Sequence, residues 1–322
     1  MHPTLLSRRR FCQVLGAVAA SAQSLQSAVH AAGQKEDVFS LRYILASSMY
    51  GTTRVEEILP EVAKAGADSI DLWPRHHGDQ REQVEAMGHD RFAALLERHG
   101  VRLGMTTRYD LGPFGLQPEI KFLRRFGGRL IVTGSVGPPD LSGPRCKQAV
   151  ARFVEQMKPH LAAAEDAGVT IAIENHGRAL ISTPDSLRYL AELAPSDKLG
   201  IALAPYHLPQ DERLLAGLIE ELGPRLVHFY AWQYGEGCMR PMPKDRELKQ
   251  MPGRGPLDFR PLLIALKKVR YRGWTEIFMH PTPRGIPILP TTAEVTAEIN
   301  RARRYLADCA RQAFGARFGG TV

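Results

Sequence analysis

The chain has 322 residues, 44% hydrophobic and 24% charged, a composition that fits a globular core and excludes a wholly disordered chain or a long coiled coil. The formal net charge is +8, but the basic residues are mixed with acids, as at Lys147, Arg152 and Glu155. With no basic stripe interleaved with aromatics, nucleic acid is not an expected partner.

The first 31 residues stand apart. Ser7-Arg8-Arg9-Arg10-Phe11 precedes a weakly apolar run at 14–20, and small residues lead to Val29-His30-Ala31. This matches a twin-arginine export signal, so the expected location is the periplasm. The apolar run is too short and too polar for a permanent membrane span, and no membrane association is expected once the signal leaves. Its loss removes three arginines and no acid, so the net charge falls from +8 to +5. Cys12 leaves with it. Cys146, Cys238 and Cys309 are widely spaced and form no C-x-x-C, so buried free thiols are expected.

From residue 38 a rhythm sets in. Strands are expected at 41–47, 69–73, 101–106, 130–134, 169–174, 199–203, 226–230 and 274–279. Helices are expected after them at 55–65, 90–99, 118–126, 147–167, 184–193, 211–222, 257–268 and 292–313. This alternation predicts an α/β fold, a single-domain (β/α)8 TIM barrel over 38–313 with a tail at 314–322. Gly66, Gly100, Gly168 and Gly273 stand near helix–strand joints, where a left-handed residue ends a helix. A doubly wound sheet would need a glycine-rich phosphate turn after an early strand, and none is present. The longest irregular insert, 233–256, follows strand seven and reads as a lid or specificity loop, or as a surface excursion or oligomer contact. A homo-oligomer is compatible with the sequence.

In such a barrel the C-terminal strand ends converge, so the polar residues there are the candidates. Strand five closes on Glu174-Asn175-His176, a carboxylate that is costly to bury alone. Strand six runs into Ala204-Pro205-Tyr206-His207. On strand seven His228 and Tyr230 share a face, and on strand eight Glu276 and His280 do. Each alone is as readily a core or surface residue. Together, a carboxylate and several imidazoles suit a divalent metal such as Zn, Mn or Co more than Ca. The ligand candidates are Glu174, His207, His228 and His280. Trp73, after strand two, offers a plate for a sugar ring or fills the mouth, and His77 and Asp79 are placed to bond hydroxyls. Arg108, after strand three, either holds an anionic group or pairs with Asp110.

At these residues the chain resembles the xylose isomerase-like sugar phosphate isomerase/epimerase superfamily, over roughly 38–313. The resemblance rests on Ile173-Glu174-Asn175-His176, Pro205-Tyr206-His207, Gly253-Arg254-Gly255-Pro256-Leu257-Asp258-Phe259 and Tyr271-Arg272-Gly273-Trp274. It implies a metal held by Glu on strand five, Asp on strand six, His on strand seven and Glu on strand eight. It also implies a substrate-touching His three residues after the strand-six Asp. Glu174 and His207 match, whereas Ala204, Tyr230 and Phe278 stand at the other three positions. The site is then either rebuilt around Glu174, His207, His228 and His280 with Zn, Mn, Co or Mg, or has lost its metal.

The resemblance implies a small carbohydrate substrate and a sugar isomerase/epimerase, with Glu174 or Glu276 as the proton-transfer group and His207, His176, Trp73, His77, Arg108 and Tyr230 against the substrate. A lyase acting on keto-sugar glycosides through the same enediolate, and a non-catalytic sugar-binding barrel with a decayed metal site, are the alternatives. An abasic-site nuclease would need more metal ligands than the strand ends supply.

Overall fold

Eight short apolar runs, each followed by an amphipathic stretch, form a closed parallel barrel in the computed structural model, which describes residues 39–315. The strands are β1 Arg42–Ala46, β2 Ser69–Leu72, β3 Arg102–Thr107, β4 Leu130–Thr133, β5 Thr170–Glu174, β6 Leu199–Leu203, β7 Leu226–Ala231 and β8 Trp274–Ile277. They pair in chain order, and β8 returns to β1 with Trp274 opposite Arg42. The expected single-domain (β/α)8 barrel is therefore observed. The export signal expected at 1–31 and most of the tail lie outside the described residues.

The helices are α1 Val55–Lys64, α2 Gln80–Met87, α3 His89–His99, α4 Gln117–Arg125, α5 Gly143–Ala167, α6 Pro184–Leu193, α7 Glu212–Leu222, α8 Lys244–Glu247, α9 Arg260–Lys268 and α10 Thr292–Phe314. Each longer helix buries one stripe. In α7 this is Leu215, Leu218, Ile219 and Leu222, at the i, i+3, i+4, i+7 spacing of a single face. The start of α10 is fixed by a capping box, Thr291 accepting from the Glu294 amide while Glu294 accepts from the Thr291 amide. Among the described residues no helix is long and apolar enough to cross a membrane.

Three details differ from expectation. Helix α2 is additional, because its buried face is Gln80, Arg81 and Val84, with one aliphatic residue to reveal it. Gly100 and Gly168 end α3 and α5 in the left-handed conformation as expected, but Gly273 does not. A Cβ at Gly273 would lie 2.2 Å from the Val227 carbonyl oxygen, so close approach to β7 requires glycine there. Segment 233–256 contains α8 and a 3-10 turn, Leu248–Gln250, and is pinned to the barrel mouth. Gln233 donates to the Met251 carbonyl at 2.7 Å, and Gln250 both accepts from Trp232 Nε1 at 3.1 Å and donates to the His280 carbonyl at 2.9 Å. Cys146, Cys238 and Cys309 are buried free thiols, as expected.

The ring closes between its first and last strands with help from the loops beyond them. The Met279 amide approaches Met49 Sδ at 3.3 Å, a pair 230 positions apart. The Thr52 amide donates to Gly285 and the Ile288 amide to Met49, both at 3.0 Å.

Candidate active site

Because strand residues alternate, each strand sends every second side chain into the barrel. On β2 this gives Asp71 and then Trp73; on β7, His228, Tyr230 and Trp232; on β8 and its extension, Glu276, Phe278 and His280. Successive inward residues on one strand stand about 7 Å apart along the chain, so these side chains lie at different depths.

The deep group is Asp71, Thr107, His228 and Glu276, none of which is exposed. Thr107 donates to Asp71 at 2.7 Å, while the other Asp71 oxygen lacks a hydrogen-bond partner. His228 Nε2 lies 2.9 Å from Glu276 Oε2, although neither atom completes a well-aligned hydrogen bond. Burial holds the His228 imidazole down at about 3, so the ring is neutral. Burial also pushes Asp71 and Glu276 well above the usual carboxylate range, and the neighbouring Glu276 adds to the rise of Asp71. Trp73, its amide held by Ser47 Oγ at 2.9 Å, partly opposes both shifts.

Above this group stands Glu174 at the end of β5. Burial pushes its carboxyl up to about 8, the hydroxyls of Tyr109 and Tyr230 offset part of the rise, and Glu276 adds to it. Both hydroxyls lack a hydrogen bond of full geometry, so they act on Glu174 by proximity. Glu174 Oε1 is 3.7 Å from His207 Nε2. Burial holds His207 down at about 2, so this is a neutral ring against a carboxyl and not an ion pair. Asn175 fixes the geometry by clamping the neighbouring strand end: its side chain donates to the Ala204 carbonyl at 2.9 Å and accepts from the Ala204 amide at 2.8 Å.

The rim is aromatic. Trp73 stacks on Phe278 at 5.1 Å between centroids, and Tyr206 stacks on Trp232 at 4.0 Å. His77 stacks on His280 at 4.2 Å, and His176 lies 4.2 Å from His207. Burial keeps these imidazoles neutral, with His77 at about 4 and His176 and His280 also lowered.

The structure thus brings Glu174, His207, His176 and Tyr230 to one side of the mouth, and Trp73, His77 and His280 to another. Glu276 is on the predicted inner face but sealed beneath the rim. Arg108 takes its bland alternative: Asp110 accepts from it at 2.9 and 2.7 Å and Glu119 accepts as well, so its guanidinium is spent inside the fold. Sequence reasoning missed Asp71, Tyr109, Asn175 as a clamp, and Trp232. Period two from Tyr230 would have found Trp232, and the argument used for Glu174 would have found Asp71.

The expected metal ligands separate. His228 faces Glu276, Glu174 faces His207, and His280 faces His77. Ala204 offers no donor, and Phe278, 1% exposed, fills the space beside Trp73 and Trp232. Among the described residues no three of His, Cys, Asp and Glu form a group able to hold a metal ion. The donor set therefore does not fit the implied divalent ion.

Comparison with known proteins agrees with this architecture. A family described as xylose isomerase-like TIM barrel matches residues 59–304. No curated protein matches the chain in sequence. Among solved structures, the IolI protein with a bound zinc atom has a TM-score of 0.64 at 15% identity, covering 85% of this chain and all of that one. A D-psicose 3-epimerase crystallised in the presence of D-fructose gives 0.62 at 17% identity, covering 87% of this chain and 100% of its own. Protein SMc04130 from Sinorhizobium meliloti 1021 gives 0.63 at 20% identity, covering 81% of this chain and 97% of its own.

Proposed function

Because the chain belongs to the xylose isomerase-like TIM barrel family, we propose that it is an enzyme of the sugar isomerase/epimerase type, moving a proton next to the carbonyl of a small carbohydrate. One observation carries this reading: Glu174 stands at a strand end in the mouth with its carboxyl raised to about 8 and a neutral imidazole 3.7 Å away. A general acid–base works best near the ambient pH, and this carboxyl is poised there. Solved relatives of this fold named as D-psicose 3-epimerase and L-ribulose 3-epimerase support the substrate class.

In this mechanism Trp73 and the Tyr206–Trp232 stack hold the sugar's apolar faces. Ionised Glu174 takes a proton from the carbon beside the carbonyl; the C–H electron pair forms a C=C bond and the carbonyl π pair moves to the oxygen, giving an enediolate. His207, Tyr109 and Tyr230 are the neutral donors nearest that charge. Glu174 then returns the proton to the former carbonyl carbon, while the proton of the neighbouring hydroxyl passes to the oxyanion through the His207 imidazole, so that the carbonyl forms on the neighbouring carbon and the sugar is isomerised. Inversion at one carbon asks for a donor on the opposite wall, where His77 follows β2 across the ring from β6. Glu276 has no part in substrate contact; it acts by raising Glu174.

The test is solvent-deuterium incorporation at carbon across sugars and keto-sugars, with intact protein and with Glu174→Gln. Exchange that disappears in the variant is the expected result, and absence of exchange from every sugar overturns the reading. Periplasmic export belongs to the same proposal and rests on residues 7–31. Fusion of residues 1–38 to a reporter, with and without Arg8→Lys and Arg9→Lys, tests it: export lost in the double variant is expected.

A further inference from the structure

Charge at the rim is unevenly matched. Three of its acids have cationic partners: Asp79 lies 3.6 Å from Arg75, Asp110 2.7 Å from Arg108, and Glu236 2.7 Å from Lys249, with Arg246 also against it. Arg178, after β5, and Arg284, after β8, have no carboxylate within ion-pair distance among the described residues, in contrast to Arg75, Arg108 and Arg246. The exposed Arg240 also has none, but it carries no hydrogen bond that would hold it at the mouth.

Arg284 is held in place without being neutralised. Its guanidinium donates to the carbonyls of Cys238 and Pro281 and to Cys238 Sγ, the last at 3.1 Å. Thr282 Oγ1 donates to the same Cys238 carbonyl at 2.8 Å, and the Tyr206 hydroxyl lies 3.0 Å from Cys238 Sγ. These contacts fix the side chain between the 233–256 segment and the β8 loop. They use three of its five N–H donors and none of its charge. That charge bears on the mouth: it disfavours protonation of His77, His176 and His280, three rings from different sectors of the rim. Arg178 acts on His176 from the β5 loop, with its backbone at φ +65, an uncommon conformation outside glycine. The floor below offers no counter-charge, because Glu174 is largely protonated at neutral pH.

We propose that Arg284, assisted by Arg178, is a specificity residue that selects carbohydrates bearing an anionic group, a carboxylate or a phosphate, at the end of the molecule that stays at the rim. This rests on the reading of the mouth as a carbohydrate site and names its substrate class. A pre-positioned guanidinium with free N–H donors binds an oxyanion through charge-assisted hydrogen bonds, and neutral imidazoles beside it add donors without competing charge.

The experiment is calorimetric titration of the full chain with a panel of hexoses, the matching uronates and the matching 6-phosphates. At least one anionic form is expected to bind tenfold or more tighter than its neutral parent, and the uronate and phosphate arms identify which anion is preferred. Arg284→Gln should abolish the preference while leaving affinity for the neutral parent within about twofold, the scale of a contact that the neutral sugar does not make. Arg178→Gln should weaken the preference about threefold, and Arg284→Lys should retain part of it. Should Arg284→Gln melt early, Arg178→Gln and Arg284→Lys carry the comparison. Equal affinity of acid and neutral forms, or a preference that survives in Arg284→Gln, overturns the proposal. Deuterium exchange in the same samples separates the two readings. Anion preference without exchange keeps the arginine assignment and ends the proton-transfer proposal, whereas exchange of neutral sugars without preference does the reverse.

Discussion

Two parts of this barrel bury carboxylates in opposite ways. On the β3 shoulder, Glu119 is 1% exposed and lies between Arg81, which donates to it at 3.0 and 3.1 Å, and Arg108. In the mouth, Glu174, Asp71 and Glu276 are as deeply buried with no guanidinium or ammonium against them. A buried acid held by arginines stays ionised and serves as a structural joint. A buried acid left without a cation keeps its proton and has one to give. The contrast separates structure from chemistry within one chain, and it can be broken at either end.

The largest effect is expected from Glu174→Gln, which keeps the shape and removes the titrating proton. Carbon–deuterium exchange should fall by about 100-fold or more, the usual scale of a positioned acid–base group, with no loss of thermal stability. Glu119→Ala makes the opposite test. It removes the buried carboxylate that Arg81 and Arg108 share, leaving Arg81 with Glu85 and Arg108 with Asp110, and should lower stability by about 2–3 kcal/mol in urea unfolding. A mild Glu119→Ala, or a collapsing Glu174→Gln, would erase the distinction.

The pH dependence sharpens the comparison. Glu174 must ionise to act as a base, so exchange should rise with pH to a plateau, with a midpoint near 8. Glu276→Gln removes a neighbour that raises it and should move that midpoint down. Stability should run the other way. A carboxyl raised in the fold contributes fully below its unfolded value of roughly 4.3 and loses that contribution as pH climbs through about 8. Melting temperature should decline across that window and decline less in Glu174→Gln. The smallest effect is expected from chelator: since the donors separate, exchange should survive it, and metal analysis of the purified protein should find no stoichiometric ion.

The fold was legible in the sequence because the strands are short, largely apolar runs spaced by amphipathic stretches, and each longer helix shows a clear stripe. Helix α2 escaped because Gln80 and Arg81 occupy buried positions where a pattern reader expects aliphatics. The inner face of the site was legible too, since period two puts Glu276 and His280 on one side of their strand. Depth was not. Four residues of extended chain separate those two by about 13 Å, so a residue can share a face with the site and still lie beneath it. Pairing was equally hidden: nothing local tells that Arg108 is spent on Asp110 and Glu119 while Arg284 keeps its charge.

The seam between β1 and β8 has a consequence for synthesis. Its partners, such as Met49 and Met279, are 230 positions apart, so a growing chain makes the first strand long before the last. Until β8 emerges, the outer edge of β1 has unmatched amides and carbonyls, a template for pairing with another chain. A nascent chain of this protein is therefore most prone to aggregate just before it is finished, and a truncation that removes β8 would keep it in that state.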